Sequence, residues 1–141
     1  MLIKTINRAF SKITFYIRAQ ELKGIKLFGM NVTDREINYL SWIVENNNKK
    51  NLTRLAKELG VKKGTLSNNI KLLIEKKLLI KKEDPKDKRK VVITPTDKGK
   101  EYMKYYSKIH VKIQKTLLSG LNEKEIEQLL EMGLRINKTL D

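Results

Sequence analysis

Residues 52–96 read LTRLAKELGVKKGTLSNNIKLLIEKKLLIKKEDPKDKRKVVITPT, and the order of patterns within them sets the fold. Leu52, Leu55, Ala56 and Leu59 recur at helical spacing, so a short helix over about Arg54–Leu59 buries one face. Thr53 stands where a hydroxyl can accept a hydrogen bond from a helix-start N–H. Gly60 then supplies a sharp turn, since a residue without Cβ enters the left-handed region at little cost. In the next run Leu66, Ile70 and Leu73 fall at i, i+4 and i+7 and must face the core of a second helix, about Lys63–Lys76. That spacing turns Gly64, Thr65, Ser67, Asn68 and Lys71 outward. Ser, Thr, Asn and Gly are poor helix formers, so such a face is either plain solvated surface or one that a partner stabilises. A DNA duplex is such a partner: Asn, Ser and Thr read base edges in the major groove, and small residues permit close approach. Leu78–Lys82 and Lys90–Thr94 are β-rich and flank EDPKDKR, whose Asp-Pro and charged residues form turns, so a hairpin with an exposed charged tip follows the second helix. Helix, turn, helix and hairpin in this order make a winged helix-turn-helix.

Charge supports that reading. The 141 residues carry a formal net charge of +15. Residues 49–100 hold 17 Lys+Arg against 6 Asp+Glu, net +11, which leaves only +4 for the other 89 residues. A basic face attracts a phosphate backbone by Coulomb energy and counterion release, independently of sequence. The chain contains no cysteine, which excludes disulfides, thiol redox sensing and thiolate zinc sites. His110 is the only histidine, too few for a histidine-built metal site. There is no Ser/His/Asp or Cys/His set and no glycine-rich phosphate loop, so neither catalysis nor a cofactor or metal is expected. No apolar run approaches the roughly 18 residues a membrane span requires, and the N-terminus lacks a secretory pattern, so the expected compartment is the cytoplasm, in association with the nucleoid.

Outward from the motif, Ile6, Phe10, Ile13 and Ile17 place an apolar stripe on a first helix from Leu2 to about Leu22, widened by Leu2, Ile3, Phe15 and Tyr16. Gly24 and Gly29 bracket an expected loop. Thr33-Asp34-Arg35-Glu36 is a capping box opening a helix to about Glu45, with Ile37, Leu40 and Val44 inside and Trp42 off that line as a second packing contact or pocket residue. Asn46–Asn51 is a polar loop. After the hairpin, Thr96 caps a helix from Asp97 to about Leu118. Gly120 stops it, and Asn122–Glu125 caps a last helix carrying Ile126, Leu129, Leu130, Leu134 and Ile136 to about Leu140. A monomer would leave these end helices broadly apolar on the outside, which soluble monomers avoid, so Ile6, Phe10, Ile13, Ile17, Ile126, Leu130 and Leu134 are candidate dimerisation residues. The expected organisation is one mainly α (α+β) domain over 1–141, with residues 32–96 as a DNA-binding core and 1–31 and 97–141 as a helical dimerisation region.

Leu55-Ala56, Gly60-Val61, Thr65-Leu66-Ser67, the wing Asp84-Pro85-Lys86-Asp87-Lys88-Arg89 and Thr96-Asp97-Lys98-Gly99 together resemble the MarR (multiple antibiotic resistance regulator) family of winged-helix transcription factors. The wing followed by Thr-x-Lys-Gly is the specific part. The resemblance extends over nearly the whole chain and implies a homodimer with interlocked terminal helices. It also implies that the second helix of the motif enters the major groove, with Lys63, Thr65, Ser67 and Asn68 facing bases or phosphates and Lys62 and Lys71 beside them. Arg89, next to Lys88 and oriented by Asp87, would reach into the minor groove, where narrow A·T tracts concentrate negative potential. Three residues depart from the family pattern. Lys62 stands in place of a Ser or Asp cap, Lys77 in place of a helix-ending glycine, and Asn68 in place of an arginine, which favours adenine over guanine.

The resulting expectation is a homodimeric, sequence-specific transcriptional regulator, a repressor released by a small anionic or aromatic effector held between the reading heads and the dimer helices. An architectural or nucleoid-type DNA binder with little sequence preference is the alternative. A winged helix that binds protein is a third, against which the clustered charge argues.

Overall fold

Gly29, at φ +66°, ends a helix longer than the sequence pattern indicates. The computed structural model describes residues 1–46, 52–88 and 91–139. Along the chain lie α1 (Leu2–Phe28), α2 (Asp34–Asn46), α3 (Leu52–Glu58), α4 (Lys63–Glu75), β1 (Leu79–Glu83), β2 (Val91–Pro95), α5 (Asp97–Leu118) and α6 (Glu123–Asn137). The two strands pair antiparallel from Leu79↔Pro95 to Glu83↔Val91. This is the mainly helical winged helix-turn-helix that the pattern of residues 52–96 predicts.

Two local expectations are corrected. The loop expected from Lys23 is helical, because Gly24 is buried under a ring: a Cβ at that position would lie 2.8 Å from Tyr105 Cε1. A glycine inside a helix costs about 1 kcal/mol relative to alanine. Here it admits an aromatic cluster, in which Phe28 meets Tyr102 and Tyr105 edge-on at 5.0 and 5.5 Å. Thr53 lies within α3, which begins at Leu52, so it is not the cap; Asn51 falls outside the described residues.

The two capping boxes and the Gly60 turn act as the sequence indicates. Thr33 N–H donates to Glu36 Oε2 at 2.8 Å and Glu36 N–H to Thr33 Oγ1 at 3.3 Å. Asn122 and Glu125 make the same reciprocal pair at 2.9 and 3.0 Å. Gly60 takes φ +62° between α3 and α4, the backbone state the turn needs.

Packing divides the chain into two compact units. The central unit is Glu21–Ser107, and the terminal unit combines Met1–Gln20 with Lys108–Asp141. The division falls inside α1 and α5, whereas the sequence boundaries at 31/32 and 96/97 mark changes of element. The central unit carries a continuous core to which α2 gives Ile37, Tyr39, Leu40 and Ile43, α3 gives Leu55 and Ala56, and α4 gives Leu66, Ile70 and Leu73. Val32, Leu78, Leu79, Tyr102 and Met103 complete it. In the terminal unit Ile113 is the only buried hydrophobic residue among those described.

Candidate nucleic-acid interface

The three core residues of α4 fix which of its faces is presented. Leu66, Ile70 and Leu73 are buried, and Lys63, Gly64, Ser67, Asn68 and Lys71 are exposed with Lys62 just before them; Thr65 is half-buried. The two neighbouring asparagines differ in use. Asn69 Nδ2 donates to the Thr65 carbonyl at 2.8 Å, one turn back along the helix. Asn68 is exposed and makes no hydrogen bond among the described residues, so its donor and acceptor pair is available to a base edge. None of Lys62, Lys63, Lys71 and Lys88 forms an ion pair with another described residue. Leu72, 45% exposed on the same helix, is an apolar neighbour that the polar pattern did not indicate.

The wing stands beside this face. β1 is exposed from Ile80 to Glu83, and β2 is half-buried from Val92 to Pro95. At the tip Asp84 Oδ1 accepts the Lys86 N–H at 2.7 Å, an Asx-type turn of the kind Asp-Pro sequences make. Asp87 is half-buried and Lys88 exposed. Arg89 and Lys90 lie outside the described residues. Between α4 and the hairpin is an open hollow of about 330 Å³, lined by the apolar Leu52, Ile70, Ile74 and Ile93 and by Ser67, Lys71, Glu75 and Lys81. Lys81 therefore extends the basic face, a placement that only the hairpin register reveals.

The ends of α4 are built differently. At its start Lys62 takes an extended conformation (φ −67°, ψ 140°) and makes no side-chain cap, so the departure noted in the sequence leaves that end without one. At its end Lys77 takes φ +60°, the left-handed state usually given to glycine. Two contacts hold the chain there. Thr96 Oγ1–H donates to the Lys77 carbonyl at 2.6 Å, while the same oxygen accepts the Gly99 N–H at 3.0 Å. A Cβ on Gly99 would collide with the Leu78 carbonyl oxygen, which is the physical reason for glycine in Thr-x-Lys-Gly.

One contact was not legible from spacing. Lys76 Nζ donates to Glu36 Oε1 at 2.7 Å, to Glu36 Oε2 at 2.8 Å and to the Asn31 carbonyl at 2.7 Å. Glu36 is 1% exposed. Burial alone would raise its carboxyl pKa, but hydrogen bonds from Lys76 and Thr33 and the ammonium charge outweigh burial and hold it below the ordinary glutamate range. The capping box accounts for a glutamate at this position. Its neighbours Ile37, Tyr39 and Leu40 were the available signal that it also faces the core, where a carboxylate requires a cation.

Two further residues locate α2. Trp42 packs on the core, and its Nε1–H donates to Glu58 Oε2 at 2.9 Å, while Arg54 Nε meets Glu58 Oε1 at 3.1 Å. Burial, with the charges of Tyr106, Glu21, Glu36 and Tyr105, pushes the Tyr102 phenol up to about 12, so it stays protonated as a packing group. Burial, then Asp34 and Glu21, also raises Tyr106. Among the described residues no group of three or more His, Asp or Glu is placed to hold a metal, and no helix is long and apolar enough to cross a membrane.

The candidate dimerisation residues lie in the terminal unit. Ile6, Phe10, Ile13, Leu130 and Leu134 are exposed, and Ile17 and Ile126 are half-buried.

Known proteins share this arrangement. A MarR family model matches residues 29–90. The HTH-type transcriptional regulator SarZ of Staphylococcus aureus (strain MRSA252) is 29% identical over 103 residues, which cover 70% of this chain and 68% of SarZ. The S. aureus MepR–DNA complex is similar in structure with a TM-score of 0.69 at 23% identity, covering 96% of this chain and 99% of MepR. MepR bound to ethidium bromide gives 0.67 at 22% identity, with 96% of each chain covered. Elements α2, α3, α4 and β1 thus fall within the residues that match the MarR family model, and the chain is similar in sequence to SarZ and in fold to MepR.

Proposed function

We propose that this protein is a homodimeric, sequence-specific DNA-binding repressor of the cytoplasm, non-catalytic and associated with the nucleoid, whose operator is released when a small aromatic or anionic molecule binds. The observation that carries the reading is the outer face of α4, where Lys62, Lys63, Ser67, Asn68 and Lys71 stand exposed, without acidic partners among the described residues, in the most basic part of the chain. Ser67 and Asn68 face base edges, and the lysines face phosphates. On the wing, Arg89 enters the minor groove beside Lys88, with Asp87 orienting its guanidinium; a planar fork does this at lower desolvation cost than an ammonium. The apolar residues left exposed on α1 and α6 favour a two-fold dimer, and a two-fold dimer favours a pseudo-palindromic operator. MepR has been solved with ethidium bromide, which favours an aromatic effector here.

Binding to the upstream region of the protein's own gene is compared with binding to random DNA at several salt concentrations. A preference of about a thousandfold or more supports a specific regulator. Equal affinity with a steep salt slope would instead identify an architectural binder. Arg89→Ala is expected to lower the salt slope by about one unit, with Arg89→Lys recovering only part of the affinity. Asp87→Ala loosens binding if the carboxylate orients Arg89 and tightens it if Asp87 only repels phosphate.

A further inference from the structure

The two ends of α4 are held unequally. Its start has no side-chain cap, and the residues proposed to meet DNA cluster there. Its end is tied twice, by Lys76 to the start of α2 and by the Lys77 carbonyl to Thr96. The uncapped end is held by the packing of Leu66 and Ile70, and the tied end adds the polar contacts that fix the helix's aim. An ammonium has three N–H donors, and all three of Lys76 are directed at oxygens of Glu36 and Asn31 within 2.8 Å. None is left for a phosphate, although Lys76 sits in the most basic segment of the chain. Its partner carboxylate is buried, so the contact has little freedom to exchange with solvent.

We propose that Glu36 and Lys76 are positioning residues for DNA recognition: they set the angle at which α4 presents Ser67 and Asn68 and do not touch the duplex themselves. This inference rests on the DNA-binding reading for its effect on recognition, but not for its effect on helix orientation. Specific base contacts require placement to within a fraction of an ångström, whereas attraction to phosphate tolerates a tilt. Releasing the tie should lower discrimination between sequences more than general affinity.

The variants are Lys76→Met, Glu36→Gln and the double, with Lys71→Ala for contrast. The probe is a duplex selected by the wild-type chain from a random-sequence pool, measured against unselected DNA at several salt concentrations. Lys76→Met and Glu36→Gln are each expected to reduce the preference for the selected duplex about tenfold, the loss of roughly one base contact, with the salt slope unchanged. The double variant should lose no more than the worse single one, because both remove the same tie. Lys71→Ala should do the reverse, lowering the slope by about one unit and keeping the preference. A unit fall in slope with preference intact in Lys76→Met would make Lys76 a phosphate contact and overturn the proposal.

A second readout needs no DNA. The chain has no cysteine, so spin labels at Glu45→Cys on α2 and Leu72→Cys on α4 report one distance within a protomer when diluted with unlabelled protein. That distance should shift or broaden in Glu36→Gln and in Lys76→Met. An unchanged distribution in both overturns the proposal, whatever happens with DNA. If the wild type selects no duplex, the DNA-binding reading fails and the label distance alone decides the positioning role. Glu36→Gln keeps an oxygen for the Thr33 hydrogen bonds, so it reports even if Lys76→Met fails to fold.

Discussion

In the central unit Leu40 of α2, Leu55 of α3 and Leu66 and Leu73 of α4 meet in one core and lose contact with water, whereas in the terminal unit Phe10 and Leu130 remain 58% and 63% exposed. Both units are built from helices with one apolar stripe, so helix type does not separate them. What separates them is the number of directions from which a stripe is covered. Four helices, α2 to α5, and the base of a hairpin enclose the central stripe. The terminal stripes of α1 and α6 keep Ile6, Phe10, Leu130 and Leu134 exposed. One unit completes its core within the chain, and the other leaves apolar side chains exposed, the observation on which the proposed dimer rests.

This contrast can be broken at either side, and the central side should break harder. Leu66→Ala removes a fully buried side chain and is expected to cost about 3 kcal/mol in urea denaturation, independently of protein concentration. In the proposed dimer Phe10→Ala should cost about 2 kcal/mol, as a loss of association, since two-fold symmetry would remove the side chain twice. Sedimentation would show it as a shift towards the 16.5 kDa protomer, and a wild-type chain that sediments only at that mass would remove the contrast altogether. On the reading face, Asn68→Ala is expected to cost about 1.5 kcal/mol on the preferred operator and to change the favoured base. Lys63→Ala should weaken binding to all sequences alike, as anisotropy titrations with operator and random duplexes will show.

Smaller effects lie at the end of α4. Lys77→Gly removes the cost of a side chain in the left-handed state and should raise stability by about 1 kcal/mol. The finest is an acid effect. The folded-state pKa of Glu36 is lowered, so its contribution is present above the ordinary carboxylate value and lost as pH falls through the lower folded value. Stability measured across that window should decline in the wild type and decline less in Glu36→Gln.

The fold was legible wherever a residue answers a purely local demand. Gly60 for a left-handed turn, Thr33 with Glu36 and Asn122 with Glu125 for helix starts, and Leu66, Ile70 and Leu73 for one buried face follow from neighbours within a few positions. What sequence missed depends on residues far apart in the chain. Gly24 looks like a loop former until Tyr105 is seen against it, and Lys76 looks like one more surface cation until Glu36, 40 residues earlier, takes it up. Of the candidate site, the outward set on α4 follows from the spacing of its core residues, except that Thr65 is half-buried. Lys81 and Leu72 were missed because the one depends on strand register and the other on a face that the polar pattern assigned to solvent.

The double hydrogen bond of Thr96 has a consequence for how such a protein can change over evolution. By closing on the Lys77 carbonyl while its backbone N–H donates to the Leu78 carbonyl at 3.0 Å, it fastens the base of the hairpin like a drawstring. Everything between residues 79 and 95 then hangs from a closed neck, and closing a longer loop on such a neck costs little, about 0.6 kcal/mol for each doubling of its length. The hairpin can lengthen, shorten or exchange its charged tip without re-aiming α4. Substitutions confined to the charged tip are therefore expected to leave α4 in place, whereas changes at Ile93, which packs on the core, are not.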